Sequence, residues 1–509
     1  MQPLRVLPVF WLALFLLARP GAKAQASLAL PEARIDSLFR PWRGDKSPGL
    51  VLGIVHRGRL VYRQAFGMAD VARREPLTPD HAFWVASVAK QFTAAAVALL
   101  AESGKLSLDD DIRKYLPELP WRGDTVRIRH LVYHTSGLRD GFTLVGMTFK
   151  GEKHYTNANV LRYLARQEHV NCKPGQRHQY NNGGYVLLGE IVARASGKSL
   201  AAFAEEHIFR PLGMAHTHFY GTFARPIPGL AAGYGVRYRK GKARYVPAHF
   251  RGHTVGSSGL VTTLEDLVRW DQNFYRNRLG RGSDRLVRLL TTPGTLADGT
   301  PLPYAFGLEV STHHNATVIT HSGADPGYKA EIVRFPASQL TVIALTNAGD
   351  VYNLTARLLK IGEWMLPGAF PAGPGSAPPP VDSTALAGLA GFYLHPEHGA
   401  DLRRVSVQHG VLHAARSADG YREPFRPQGP DVFGNGMADE TLAFRRDETG
   451  AAGELLVREW AGSVLLQKVQ PVALPAKDLR AYAGRYYSPE LGKHYRLTVR
   501  RGKLGLRLY

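Results

Sequence analysis

Strand-like sequence lies near both ends of the first 350 residues, and helix-like sequence fills the middle. That ordering is what most constrains the fold. Leu50 to Phe66 (LVLGIVHRGRLVYRQAF) is a pair of β-rich runs around a turn at Arg57-Gly58, the pattern of a hairpin. Thr317 to Thr320, Lys329 to Phe335 and Leu340 to Leu345 are three more short strands separated by Gly- and Pro-containing turns. Between them Ser87 to Glu102, Asp110 to Tyr115, Asn157 to Gln167, Tyr185 to Ala195 and Leu264 to Tyr275 carry helical patterns. The arrangement predicts an α+β fold: one antiparallel sheet flanked by helices, built from early and late strands, with a large helical insertion. A substrate pocket is expected where sheet and insertion meet.

Beyond this unit Phe370 to Pro380 (FPAGPGSAPPP) is stiff, unable to pack, and reads as a linker. The pattern then changes to short alternating runs and contains a repeat. Leu389-Ala390-Gly391-Phe392-Tyr393 recurs 93 residues later as Tyr482-Ala483-Gly484-Arg485-Tyr486, and Val405 to Gly410 matches Leu497 to Gly502 with one residue deleted. Period-two alternation in both copies predicts all-β units, each a small barrel or sandwich. The second copy runs for about a third of the repeat, which marks either a fragment or a remnant unit. The expected organisation is a leader at 1–24, a main domain at 25–369, a linker at 370–384, a β-rich accessory domain at 385–475 and a partial second β unit at 476–509.

The N-terminus reads as an export signal. Arg5 precedes 12 apolar residues, Val6 to Leu17, and Ala22-Lys23-Ala24 is an A-x-A cleavage site. The apolar stretch is too short for a stable span, and no other segment approaches 18 apolar residues, so no membrane span is expected after cleavage. A periplasmic or secreted location follows. Sixty-four Lys and Arg against 42 Asp and Glu give a net charge of +22, but these residues are scattered. No zinc finger, RNA-recognition signature or basic zipper is present, so nucleic acid is not an expected partner, whereas anionic cell-wall material is a natural neighbour. The single cysteine, Cys172, excludes an intrachain disulfide framework and any Cys-based metal site.

Three elements carry candidate chemistry. Ser87-Val88-Ala89-Lys90, the only S-x-x-K in the chain, opens an Ala-rich helix and places hydroxyl and amine on one helical face. A desolvated amine within reach can take the serine proton, and free N–H groups at the helix start can stabilise an oxyanion. Tyr180-Asn181-Asn182 follows. A phenol near an ammonium has its ionised form favoured, so Tyr180 is a candidate proton relay, and Asn182 offers an amide to a substrate. Third, His321-Ser322-Gly323 closes a short strand. The Ala324 N–H is placed to complete an oxyanion hole, and His321 is expected to bring a charge that varies around neutral pH.

In this order the three elements resemble the active-site motifs of the serine β-lactamase and penicillin-binding protein superfamily. The resemblance is to its class C β-lactamase, DD-carboxypeptidase and D-aminopeptidase branch, with S-x-x-K, Y-x-N and H/K-x-G, and it spans roughly Gly49 to Met365. Leu131 to Leu138, Arg210 to Met214 and Gly259 to Leu267 belong to it and read as structural, with His134 and Ser136 outside catalysis. Class C β-lactamases have Lys-Thr-Gly where this chain has His321-Ser322-Gly323, which lowers the expectation of antibiotic hydrolysis. The C-terminal units resemble accessory barrels of D-aminopeptidase-like members.

The resemblance implies an exported serine hydrolase acting through an acyl-enzyme on a small-molecule or peptide substrate. Ser87, Lys90 and Tyr180 are its expected catalytic groups, and Asn182, His321, Gly323 and Ala324 its expected substrate-binding groups. D-amino-acid-containing peptides and related cell-wall or β-lactam-like compounds are the expected substrates; a small-ester esterase and a non-catalytic binder are the alternatives. No cofactor or metal is expected. Gly197-Lys198-Ser199 lacks the earlier glycine of a phosphate loop, no G-x-S-x-G elbow is present, and the 20 histidines form no H-E-x-x-H.

Overall fold

The computed structural model describes residues 30–508 apart from 121–122, 149–154, 222–225, 240–241, 249–251, 350, 352–353, 369–382, 397–401, 409, 417–422, 435–439, 460–461 and 473. The leader expected at 1–24 and most of the linker expected at 370–384 lie outside the described residues; a helix begins at Ser383.

The central sheet contains β1 (Leu50–His56), β2 (Arg59–Phe66), β3 (Glu309–His313), β4 (Ala316–Asp325), β5 (Tyr328–Phe335) and β6 (Leu340–Thr346). Its order is β3-β4-β5-β6-β1-β2 and every pairing is antiparallel. Arg57 and Gly58 both take positive φ, 50° and 74°, the tight-turn geometry that matches strand twist. Period two sorts the strands' side chains between two cores. Leu50, Leu52 and Ile54 face Ile35 of helix α1 (Glu32–Leu38) and Leu358 and Ile361 of a later helix, Leu354–Met365. Val51 and Val55 join the larger core on the other face, built around helix α2 (Ala89–Glu102).

Helix α2 is buried from Ala89 to Leu100, and its alanines let α3 (Asn182–Ser196) pack closely against it, while α4 (Leu264–Asn273) reaches it through Trp270, whose ring lies 4.5 Å from that of Phe92 and whose Nε1 donates to Gln91 Oε1 at 2.9 Å. Helix α3 stops at Gly197, whose φ of 73° is the usual left-handed cap. A buried ion pair ties α4 to the sheet. Arg334 Nε on β5 donates to Asp271 Oδ1 at 2.7 Å, Thr341 Oγ1 donates to the same oxygen at 2.8 Å, and both charged side chains are at most 2% exposed.

The eight strands between Gly391 and Val469 close into a barrel, which removes exposed edges, around Tyr393, Phe425, Phe433, Leu442 and Leu455. The repeat is visible in three dimensions. Strands Gly391–Leu394, Leu402–Gln408 and Val411–Arg416 recur as the meander Gly484–Ser488, Lys493–Arg500 and Lys503–Leu508. In each copy the tyrosine of the first strand donates back four residues: Tyr393 to the Leu389 carbonyl at 2.8 Å, Tyr486 to the Tyr482 carbonyl at 2.9 Å. The meander meets the main domain through Glu490, which pairs with Arg139 and accepts from the Glu168 N–H, and through Leu491, which enters the large core.

Candidate active site

Short strand Phe83–Trp84 pairs with Leu260–Thr262, and the chain then turns sharply into α2 through the 3₁₀ turn Ala86–Val88. Ala86 carries the strain of that turn, with φ of +46° on a buried residue that has a Cβ. The result singles out Ser87: Ala86, Val88 and Ala89 are buried, while the Ser87 side chain remains partly open.

Lys90, one helical turn on, is fully buried and aimed at Ser87. Its Nζ lies 3.0 Å from Ser87 Oγ, 2.9 Å from Asn182 Oδ1 and 2.8 Å from the Ser257 carbonyl. It also sits over the rings of Tyr180 and Tyr185, 4.8 and 5.7 Å from their centroids. Burial pushes its pKa down to about 7, against the opposing pull of Asp325 and Asp140. Two of its three partners, the Asn182 amide oxygen and the Ser257 carbonyl, only accept. A neutral amine therefore spends both hydrogens on them and turns its lone pair to the Ser87 hydroxyl.

The Tyr180-Asn181-Asn182 turn is held by His134, which sequence reading left as structural, and by Asp140, which it did not single out. The Asn181 N–H donates to His134 Nδ1 at 3.0 Å, and the His134 ring lies 4.3 Å from that of Tyr180. Asn181 caps α3 through the Gly184 N–H, and Asp140 accepts from the Gly183 N–H, each at 2.9 Å. Asn182 thus opens α3 with its oxygen on Lys90. Tyr180 departs from the expectation of an ionised phenol. Burial holds its pKa well above the ordinary value, outweighing the opposite pull of its hydrogen bond with Ser87. The phenol keeps its proton.

His321 departs as well. Strand β4 continues through it to Asp325, beyond the expected end at Thr320. The ring is buried, and burial together with the Lys90 charge lowers its pKa to about 3, so it is neutral near pH 7. Nδ1 lies 2.7 Å from the Ser322 carbonyl and must carry the hydrogen; Nε2 then accepts from the Tyr304 hydroxyl at 2.9 Å. Tyr304, distant in sequence and without a motif, was not legible. Gly323 is obligatory: a Cβ there would stand 2.1 Å from the Val85 carbonyl oxygen. This close approach lays β4 against the Ser87 turn. β3 pairs with β4 only from Ala316 to Thr320, so from His321 onward that edge carries no strand and faces the turn, with Ala324 exposed upon it.

Among the described residues, one group could hold a metal ion. His313, His314 and Glu363 bring ligand atoms within 4.8 Å of one another at the opposite end of β4 from Asp325, where Lys360 already pairs with Glu363.

An antiparallel sheet and a central helix that presents serine and buried amine together define the class: a serine hydrolase. The chain belongs to the Beta-lactamase family, whose model matches residues 35–358. It is 28% identical to a D-aminopeptidase of Brucella melitensis biotype 2 over 454 residues, covering 88% of this chain and 80% of that protein. It is 30% identical to penicillin-binding protein 4* of Bacillus subtilis over 320 residues, covering 61% and 70% respectively. Among solved structures, the octameric penicillin-binding protein homologue from Pyrococcus abyssi shares the fold with a TM-score of 0.60 at 24% identity, over 86% of this chain and all of that one.

Proposed function

We propose that the protein is an exported serine hydrolase that cleaves amide or ester bonds of D-amino-acid-containing peptides and related amides through an acyl-enzyme on Ser87. The observation that carries this reading is the 3.0 Å contact between Ser87 Oγ and a fully buried lysine amine. Neutral Lys90 takes the Ser87 proton as Oγ attacks the carbonyl carbon. The Ser87 and Ala324 N–H groups receive the oxyanion. Tyr180, still protonated, passes its proton to the departing nitrogen and is recharged from the Lys90 ammonium. Water then attacks the ester, gives a proton to Lys90, and Ser87 Oγ leaves with a proton. The net change is amide plus water to acid plus amine. The Asn182 NH2 group has no partner among the described residues and is available to the substrate.

Two observations support amide substrates over β-lactams. The D-aminopeptidase relative covers most of the chain. Position 321 is neutral with both ring nitrogens occupied, so it supplies no cation for the carboxylate a β-lactam carries. Export rests on Arg5, the apolar run and the A-x-A site.

A panel of p-nitrophenyl acetate, D-alanine p-nitroanilide and a chromogenic cephalosporin, with Ser87→Ala as control, tests this reading. Turnover of the first two by the wild type alone, with the cephalosporin slowest, is expected. No turnover of any of them would leave a binding protein instead. The pH profile is a separate expectation. Because the working base is the unprotonated amine, kcat/KM should fall about tenfold per pH unit below pH 7 and level off above it. Gly323→Ala should slow acylation roughly 100-fold by pushing β4 off the Ser87 turn, which single-turnover kinetics would register.

A further inference from the structure

Asp325 is a partly buried carboxylate that the mechanism above does not use. Side chains alternate along β4, so His321, Gly323 and Asp325 share a face. The direction of that face is set at Gly323, whose missing Cβ would point at Val85 and Ala86, the residues leading into Ser87. Asp325 therefore projects to the same side, one two-residue step further along the open edge. Its carboxylate is close enough to Lys90 for each to act on the other's charge. Asp325 Oδ2 is buried and accepts no hydrogen bond.

Asp140, the other carboxylate acting on Lys90, makes the contrast. Its Oδ1 accepts from the Gly183 N–H, and its Oδ2 from the Thr143 N–H and hydroxyl at 3.1 and 3.2 Å. Asp140 is a satisfied turn and helix cap. Asp325 is not: a buried carboxylate oxygen without a donor is costly, and a bound group that supplies donors would remove the cost. Lys90 is not that group, since its three contacts go elsewhere. Burial with Asp325 left in this state holds its proton on more tightly than usual, which an arriving cation would reverse.

We propose that Asp325 is a subsite for a primary ammonium, the free amino terminus of the residue whose carbonyl acylates Ser87. The chemistry fits the position. The oxyanion is to lie between Ser87 and Ala324, and the residue after Ala324 is then beside the substituents of the α-carbon. An –NH3⁺ there brings three donors and a charge opposite to the carboxylate, while an acylated amine brings one donor and no charge. The site would thus read amino-terminal residues and reject the interior of a blocked peptide. This inference rests on the hydrolase reading and assigns its substrate class.

The test compares D-alanine p-nitroanilide with its N-acetyl derivative on wild type and Asp325→Asn, reading the ratio of the two kcat/KM values. A ratio cancels any effect of the substitution on Lys90 itself. Wild type is expected to favour the free amine by about 10- to 100-fold, and Asp325→Asn to bring the ratio close to one. A ratio unchanged by the substitution, or a wild type that prefers the acetylated compound, overturns the ammonium site and leaves the hydrolase intact. Turnover of p-nitrophenyl acetate with neither anilide cleaved also overturns the site alone. Failure of wild type to turn over even p-nitrophenyl acetate overturns both readings. Capture of a fluorophosphonate by Ser87 in Asp325→Asn verifies that the variant is folded.

Discussion

Lys90→Met is expected to lower kcat/KM for p-nitrophenyl acetate by about 10³- to 10⁴-fold, the upper range for loss of a positioned base, while leaving the protein folded. Methionine matches the length of the lysine stem and fills the same space between Tyr180, Tyr185 and α3 without a buried amine. The fold should tolerate the change, because a desolvated ammonium is a cost in this position rather than a support. Two groups lose a donor: the Asn182 oxygen and the Ser257 carbonyl. Thermal melting should shift little beside the loss of rate. The pH profile separates this account from a purely structural role. The remaining activity should no longer titrate near pH 7, because the group that titrates there is gone. A residual rate with the wild-type inflection would assign that inflection to another group.

Asp271→Ala is expected to destabilise the main domain by about 3–5 kcal/mol, measured by urea or thermal unfolding. The guanidinium of Arg334 is 1% exposed, and Asp271 is its only ion-pair partner among the described residues. Its NH1 and NH2 atoms make no hydrogen bonds; the group lies over the Phe274 ring, 4.0 Å from the centroid. Removing the carboxylate leaves a buried cation and takes away the acceptor of the Thr341 hydroxyl. The penalty comes from the charge left behind, so Asp271→Leu combined with Arg334→Met should recover most of the loss. A double variant as unstable as the single would show instead that α4 needs the pair to dock on β5.

Much of the scaffold was legible because its signals are local. The Arg57-Gly58 hairpin rests on two residues that accept positive φ. The register of β1 follows from alternation, and the S-x-x-K pair from helical spacing. The repeat was visible as matched residues, and the tyrosine bond shared by its copies shows that those matches preserve a strand entry. Strand β3 was not read, since its sequence is mostly polar; helix Leu354–Met365 was not read either, although Leu354, Leu358, Ile361 and Met365 recur at helical spacing and Pro367-Gly368 follow them.

In the site, the placement of Ser87 and Lys90 on one face followed from motif spacing, whereas the contact of Asn182 with Lys90 and the charge states did not. The resemblance implies that Tyr180 lies near an ammonium, but burial decides its protonation, and burial comes from His134 and Tyr304, which approach from distant parts of the chain. His321 lost its charge in the same way, through Lys90 and the closed environment of β4. Ala324-Asp325-Pro326-Gly327 reads in isolation as a turn, which hid Asp325. The signal that could have found it is the period-two relation to His321 and Gly323, usable only once β4 is known to run on past Thr320.

The central claim is that the hydroxyl of residue 87 is made reactive by the amine beside it. Intact-mass measurement after treatment with a fluorophosphonate tests it most directly. One adduct per chain is expected, located on the peptide containing Ser87, absent from Ser87→Ala and formed far more slowly by Lys90→Met. Equal labelling of Ser87→Ala, or Lys90→Met labelled as fast as wild type, would contradict the account.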